Sequence, residues 1–252
     1  MKVAVVIPAR NEEEVIGKML SLLIAVYDKI ISQIVVVNDG SHDRTAGIVS
    51  QAARGDRRIK LINRRPPHGV GFALREGLTH VTPQADYILT IDADFIRNIP
   101  DLTDFFSHIG KYDGLIGSRY KDPYSLIRYP FFKKVANRAF HWLVRFFLGV
   151  KHSDLTNNFK LYRKQVFDNL ALTAGDYAVN AETGLYPILM GYNIGELPVT
   201  WFARDRSMGR SKFKLLSVAP GYARILLRAS VMSKHPWARL LQPLYLLMTA
   251  NS

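Results

Sequence analysis

Tyr87-Ile88-Leu89-Thr90-Ile91-Asp92-Ala93-Asp94 is an apolar, strand-forming run that ends on two carboxylates. Five residues of this kind predict a buried strand, Tyr87–Ile91, with both acids at its tip. In an open α/β sheet, ligands bind outside the carboxyl ends of the strands. Two acids separated by one residue can share a hard divalent cation, and such a cation is usually shared with substrate phosphates. An Asp-x-Asp triplet alone is also a common solvated turn or helix cap. Its weight depends on what surrounds it.

Working outward, strand and helix patterns alternate. Val3–Ile7, Gln33–Val37, Ile59–Ile62 and Asp113–Gly117 read as further strands. Glu12–Tyr27 reads as a helix, with Val15, Met19, Leu22, Leu23 and Val26 at helical spacing. Asp39-Gly40-Ser41 is a turn, with Ser41 or Asp43 as cap of the next helix, and Gly69-Val70-Gly71 opens a helix reaching Leu78. This alternation predicts βαβ units and an α/β fold with a mostly parallel sheet. Three strands then end in polar loops on one edge: Pro8-Ala9-Arg10-Asn11-Glu12-Glu13, Val37-Asn38-Asp39-Gly40-Ser41, and Asp92-Ala93-Asp94. A nucleotide would lie there, with Asp39 accepting from a base or ribose and Asp94 holding the metal. Turn and cap chemistry is the alternative for Asp39 and Asp43.

The second half differs. Tyr129–Val150 is rich in aromatic and basic residues and reads as an amphipathic interfacial helix. A core-packing helix with basic caps is the competing reading. Asn193–Phe202 reads as one or two strands, and Lys214–Ser233 as another helix. The chain has 252 residues, a net charge of +13 and no cysteine, which excludes disulfides and thiolate metal sites. The positive balance favours anionic partners: phosphorylated substrates, acidic lipid or nucleic acid. No nucleic-acid motif accompanies it. No apolar run is long enough to span a bilayer. Transmembrane helices remain possible if the chain continues beyond its C-terminus.

Taken together, Val5–Glu13, Val37–Thr45, Asp92-Ala93-Asp94 and Gly117-Ser118-Arg119-Tyr120 resemble the ordered motifs of family 2 glycosyltransferases, which have the GT-A fold. Ser153–Arg163 and Asp205–Phe213 are similar to the dolichol-phosphate mannose synthase branch, which charges polyprenyl phosphates from nucleotide sugars. The resemblance covers roughly residues 3 to 213. It implies a catalytic region over 1–213, containing the interfacial helix 129–150, followed by an amphipathic helical segment over 214–252. It further implies an inverting, metal-dependent transfer of a hexose to a polyprenyl or dolichyl phosphate, at the cytoplasmic face of a membrane.

Under this resemblance Asp94, Arg119 and Arg206 are catalytic, and Asp92 and Asp94 hold Mg2+ or Mn2+. Pro8, Ala9, Arg10, Glu12, Val37, Asp39, Asp92, Ala93 and Lys212 bind the donor. Arg128 and Lys133 are further phosphate candidates by position. Glu182 and Asp154 could orient the sugar or a neighbouring arginine, or fix a loop. GDP-mannose is the expected donor, with UDP-glucose next. A soluble or glycan acceptor, and a binding module for anionic surfaces or nucleic acid, are the competing readings. The branch commonly has Leu-Gln-His-Pro-Pro after the two acids, where this chain has Phe95-Ile96-Arg97-Asn98-Ile99-Pro100. A ligand that the family can supply there is replaced by Ile96 or shifted to Asn98. The Gln-x-x-Arg-Trp signature of processive synthases is missing, which argues against a polymerase.

Overall fold

The computed structural model describes residues 1–202 and 215–250. The expected alternation forms β1 (Val3–Ala9), α1 (Ile16–Tyr27), β2 (Ile31–Asn38), α2 (Thr45–Gly55), β3 (Ile59–Asn63), α3 (Val70–Thr79), β4 (Tyr87–Thr90), α4 (Leu102–His108) and β5 (Gly114–Ser118). Strands β3, β2, β1 and β4 pair in parallel in that order. Their β-branched residues are buried on both faces, as a sheet covered by helices requires. One core lies under α1, where Ile16, Met19, Leu20 and Leu23 meet Val5, Ile7 and Ile34. Val26, read as part of that apolar stripe, is exposed, and α1 starts at Ile16 rather than Glu12. The first acids after β1 are drawn off into loop contacts instead.

The second half adds β6 (Leu126–Ile127), α5 (Phe131–Leu148), β7 (Lys160–Arg163), α6 (Lys164–Asp168), α7 (Val179–Leu189), β8 (Ile194–Pro198), β9 (Trp201–Phe202), α8 (Leu215–Met232) and α9 (Gln242–Ala250). Asn193–Phe202 thus holds two strands, and they join different sheets: β8 extends the main sheet beside β5, while β9 pairs with β6. β7, unforeseen in the sequence, enters the middle of the main sheet antiparallel to both β4 and β5. Leu161 faces Leu89 on one side and Leu115 on the other, so β7 closes the core across the two flanking strands. Helices α5, α7 and α8 cover the opposite face, with Val144, Leu185 and Leu226 in a second core.

Candidate active site

The carboxyl ends of β1, β2, β4 and β5 open onto one cavity of about 930 Å³. Backbone and side-chain bonds lace its rim together. Asn11, in the left-handed region at φ 50, donates its N–H to Ser41 Oγ (2.9 Å) and accepts from the His42 N–H (2.8 Å). Asp43 serves this lacing and the start of α2 at once. It accepts from the Glu13 N–H (3.2 Å), the Thr45 N–H (3.0 Å) and the Thr45 hydroxyl (2.6 Å). Burial would raise the Asp43 pKa, but these bonds outweigh it and leave the carboxyl below its ordinary value.

Pro8, Ala9, Arg10, Glu12 and Asp39 all line the cavity, as do Asp92, Ala93 and Asp94. Val37 does not: its side chain is buried with Val35 and Ala73 beneath α3. Asp39 is buried and accepts from Arg64 Nη1 (2.9 Å), His68 Nδ1 (3.2 Å) and the Gly69 N–H (2.7 Å). Its charge therefore gathers the loop before α3 against the end of β2. Arg206 and Lys212 lie outside the described residues.

Asp92 and Asp94 are both half-buried, and Asp92 Oδ1 accepts from Asn158 Nδ2 (2.8 Å). No third ligand follows them. Ile96 is apolar and buried, and Asn98 gives its amide to Asp101 (2.9 Å) and to the Thr200 carbonyl (2.7 Å). Among the described residues no cluster of three or more His, Cys, Asp or Glu could hold an ion. Two carboxylates with room beside them suit a hard cation that takes its other ligands from phosphate and water.

Across the cavity, Arg119 is locked onto Asp154. Its Nε and backbone N–H donate to Oδ2 (2.6 and 3.1 Å), and Nη2 donates to Oδ1 (2.8 Å) and to Thr156 Oγ1 (3.0 Å). Both side chains are buried. Burial disfavours both charges, but their mutual attraction wins: the Asp154 pKa is lowered and the Arg119 pKa raised. The pair is held in turn by its surroundings. The Ser153 and Asp154 N–H groups donate to Glu196 Oε1 (2.8 and 3.0 Å). His141 on α5 accepts the Leu155 N–H at Nε2 (2.7 Å) and sits 2.7 Å from the Asn137 carbonyl through Nδ1. That pattern makes the ring neutral with its proton on Nδ1, in line with burial lowering its pKa.

Lys133, one turn before Asn137, lines the same cavity, and burial followed by the nearby Arg119 charge lowers its pKa. Lys133 and the Arg119–Asp154 pair thus bring two cations and one anion to the same stretch of the cavity. Arg128 is exposed and does not line the cavity. Beyond Lys133 the cavity continues between Phe140 and Leu143 of α5 and Val218, Tyr222 and Leu226 of α8 as an apolar arm.

Glu182 does not face substrate space. It is fully buried and accepts from the Thr173 and Ala174 N–H groups (both 3.0 Å, at Oε2) and the Thr173 hydroxyl (2.6 Å). It fixes the loop whose Gly175 carbonyl accepts from the first N–H groups of α3. α7 presses so closely on the loop between α5 and β7 that a Cβ at Gly184 would strike the Leu155 carbonyl. Gly184→Ala is expected to cost about 1–3 kcal/mol in a denaturant melt and to lower activity by shifting Leu155 against His141. An unchanged melt would show that the contact relaxes freely.

Sequence reasoning missed Thr156, Asn158 and Asn180, which all line the cavity. The only available signal was Thr156-Asn157-Asn158, lying within a segment already recognised as motif-like.

An open, mostly parallel sheet with paired acids at the switch in strand order, and one antiparallel strand inserted beyond them, is a GT-A-like fold. The model for glycosyl transferase family 2 matches residues 4–171, and the chain belongs to that family. It is 28% identical over 218 residues to the polyprenol monophosphomannose synthase of Mycolicibacterium smegmatis, covering 82% of this chain and 79% of that one. It is 29% identical over 202 residues to the dolichyl-phosphate hexose transferase of Haloferax volcanii, covering 80% and 83%. Among solved structures, glucosyl-3-phosphoglycerate synthase of Mycobacterium tuberculosis, in complex with Mn2+ and UDP-glucose, superposes with a TM-score of 0.65 at 15% identity. That match covers 93% of this chain and 80% of the other.

Proposed function

We propose that this glycosyltransferase moves a hexose, mannose from GDP-mannose first and glucose from UDP-glucose second, onto a polyprenyl or dolichyl phosphate. The observation that carries the reading is the continuity of the cavity. One space runs from Asp92 and Asp94, past Arg119 and Lys133, into the apolar arm between α5 and α8. An acidic end suits a metal-bound diphosphate, a basic waist suits a monophosphate, and an apolar arm suits a hydrocarbon tail. The names of the two relatives support this order of ligands.

In this mechanism an oxygen of the acceptor phosphate attacks the anomeric carbon as the bond from that carbon to the nucleoside diphosphate breaks. A phosphate is already anionic near neutral pH, so no side chain has to remove a proton. Positioning and charge stabilisation are what the protein must supply. Asp154 and Thr156 occupy Nε and Nη2 of Arg119, so the fork is held rigid with its Nη1 end available to the acceptor. Lys133 adds a second charge, and Arg206 and Lys212 are proposed to add theirs. Mg2+ or Mn2+ held by Asp92 and Asp94 would supply Lewis-acid stabilisation of the leaving diphosphate. Asp39, Arg10 and Glu12 would border the nucleoside.

Mass spectrometry of lipid products after incubation with each donor, a divalent cation and a polyprenyl phosphate tests the reading. Formation of a polyprenyl-phosphate hexose is expected, and no lipid product from either donor would overturn it.

Phe131, Phe132, Trp142 and Trp237 are exposed. Trp142 stacks on Phe146 (5.5 Å between centroids) and Phe146 on Trp237 (5.7 Å), making a continuous aromatic face beside α9. No helix among the described residues is long and apolar enough to cross a membrane. This face supports peripheral docking on an anionic leaflet, on its cytoplasmic side. Replacing Trp142 and Trp237 together with Gln is expected to reduce flotation with phosphatidylserine-containing vesicles at least about tenfold, as loss of two buried aromatic anchors should. Failure of the wild-type chain to float would favour a soluble acceptor.

A further inference from the structure

One wall of the cavity between Asp94 and Arg119 is aromatic. Trp201 and Tyr129 both line it, and both are half-buried. Their rings meet edge to face, 4.7 Å apart between centroids. A small adjoining hollow is lined by Asp94, Phe95, Arg97, Asn98, Trp201 and Phe202, which sets Trp201 beside the acidic end. The Arg119 guanidinium carbon lies 5.9 Å from the centre of the Tyr129 ring, which sets Tyr129 at the basic waist. Trp201 also packs on the core that holds Phe95 and Ile99. The mechanism above uses neither ring.

The backbone around Trp201 is held from three sides. The Val199 N–H donates to the Ser118 carbonyl (3.0 Å), and the Trp201 N–H donates to the Ser125 carbonyl (2.6 Å). Asn98 is buried and donates from Nδ2 to the Thr200 carbonyl (2.7 Å). One residue further on, the Arg97 guanidinium carbon lies 5.1 Å from the centre of the Phe202 ring. Arg97 and Asn98 belong to the run Phe95–Pro100, which follows the two acids and departs from the pattern of the resembled branch. In this chain that run grips β9.

In the transfer described above, the anomeric carbon lies between the leaving diphosphate at Asp92 and Asp94 and the acceptor phosphate at Arg119. The hexose then fills the stretch that Trp201 borders. A pyranose carries its hydroxyls around its rim and C–H bonds on its faces. An aromatic surface can cover one such face through dispersion and loss of water, while the rim stays with polar neighbours. We propose that the Trp201 indole, backed by Tyr129, is the surface on which the transferred hexose lies, and that Arg97 and Asn98 set its position. This rests on the donor reading above. Tyr129, Arg97 and Asn98 are positioning residues that act through Trp201. A ring fixed before the donor arrives loses little freedom when the donor binds.

Calorimetry in Mn2+ with GDP-mannose, UDP-glucose, GDP and UDP tests this. Trp201→Leu keeps apolar bulk against the core and lacks the flat ring. It is expected to weaken the nucleotide hexose about tenfold and to leave the bare nucleoside diphosphate within about twofold. Trp201→Phe, which keeps a flat ring, should stay within about threefold of wild type for both. Asn98→Ala should lower the ratio of hexose to bare-nucleotide affinity about threefold. Tyr129→Leu should lower the same ratio about threefold, and it carries the test if Trp201→Leu does not fold. If Trp201→Leu weakens both ligand forms equally or neither, the sugar surface is overturned. It is equally overturned if the loss falls on a polyprenyl phosphate in detergent micelles and spares the nucleotide hexose. Equal loss of both forms in Asn98→Ala overturns the positioning role of Asn98. If none of the four nucleotide ligands binds the wild-type chain, the donor reading itself falls, and this inference with it.

Discussion

Asp94→Asn is expected to lower turnover by about a thousandfold, the scale lost when a charge-stabilising group at a transition state is removed, while the melting temperature stays nearly unchanged. The reason lies in what each carboxylate does. Asp92 is engaged by Asn158 and helps fix the loop before β7, so its replacement disturbs structure as well as chemistry. Asp94 closes the turn after β4, at the N-cap of the 3₁₀ turn Phe95–Asn98, and makes no side-chain capping bond to it. Asparagine can keep that turn and cannot keep the charge. EDTA should reproduce the loss in the wild-type chain, and Mn2+ or Mg2+ should reverse it. Full turnover in the variant, or in EDTA, would sink the metal assignment.

The second large effect concerns stability. Asp154→Ala leaves the Arg119 guanidinium buried without its partner, and removal of one member of a buried ion pair costs about 3–5 kcal/mol. Arg119→Met is expected to cost a similar amount, because it strands the carboxylate. The double variant Arg119→Met/Asp154→Leu should recover much of that stability and none of the activity. A coupling energy near zero in this cycle would mean that the two side chains act independently.

The pair also sets an acid limit. The folded-state pKa of Asp154 is lowered, so its contribution is present above the ordinary carboxylate pKa and is lost as pH falls through the depressed one. Melting temperature in the wild-type chain should therefore fall more steeply toward low pH than in the double variant. Parallel profiles would contradict this.

The N-terminal half was legible because its signals are local. Each strand there is an apolar run followed by its own polar loop, and three such loops were read onto one edge, which the end of β5 joins in the structure. Asp39, Asp92 and Asp94 were read from sequence on that logic, Arg119 came from the family resemblance, and all four line the cavity. β7 was not legible. Four residues beginning with Lys160 and ending with Arg163 look like a polar link, and only pairing with two strands distant in sequence makes them the centre of a sheet. Glu182 and Asp154 were indistinguishable in sequence for a related reason. One is saturated by Thr173 and Ala174, the other by Arg119, and neither partnership follows from spacing. Val37 shows the opposite case: the recognised motif runs two residues deeper into the strand, through Val37 and Asn38, than the open space does.

The antiparallel entry of β7 also bears on how such a protein can diversify. The chain leaves the sheet at Ser118 and returns at Lys160, and Ile116 pairs with Lys160 directly. Residues 119–159 are therefore a closed excursion whose two ends are clamped by adjacent strands. Arg119, α5 and Thr156 all ride on it, whereas the loops after β1, β2 and β4 lie outside it. On the proposed reading, insertions, deletions or exchange within the excursion would remodel what receives the sugar and leave what delivers it in place, provided that the Asn158–Asp92 bond near its end is kept. One half of the reaction can then evolve as a cassette while the other stays constant.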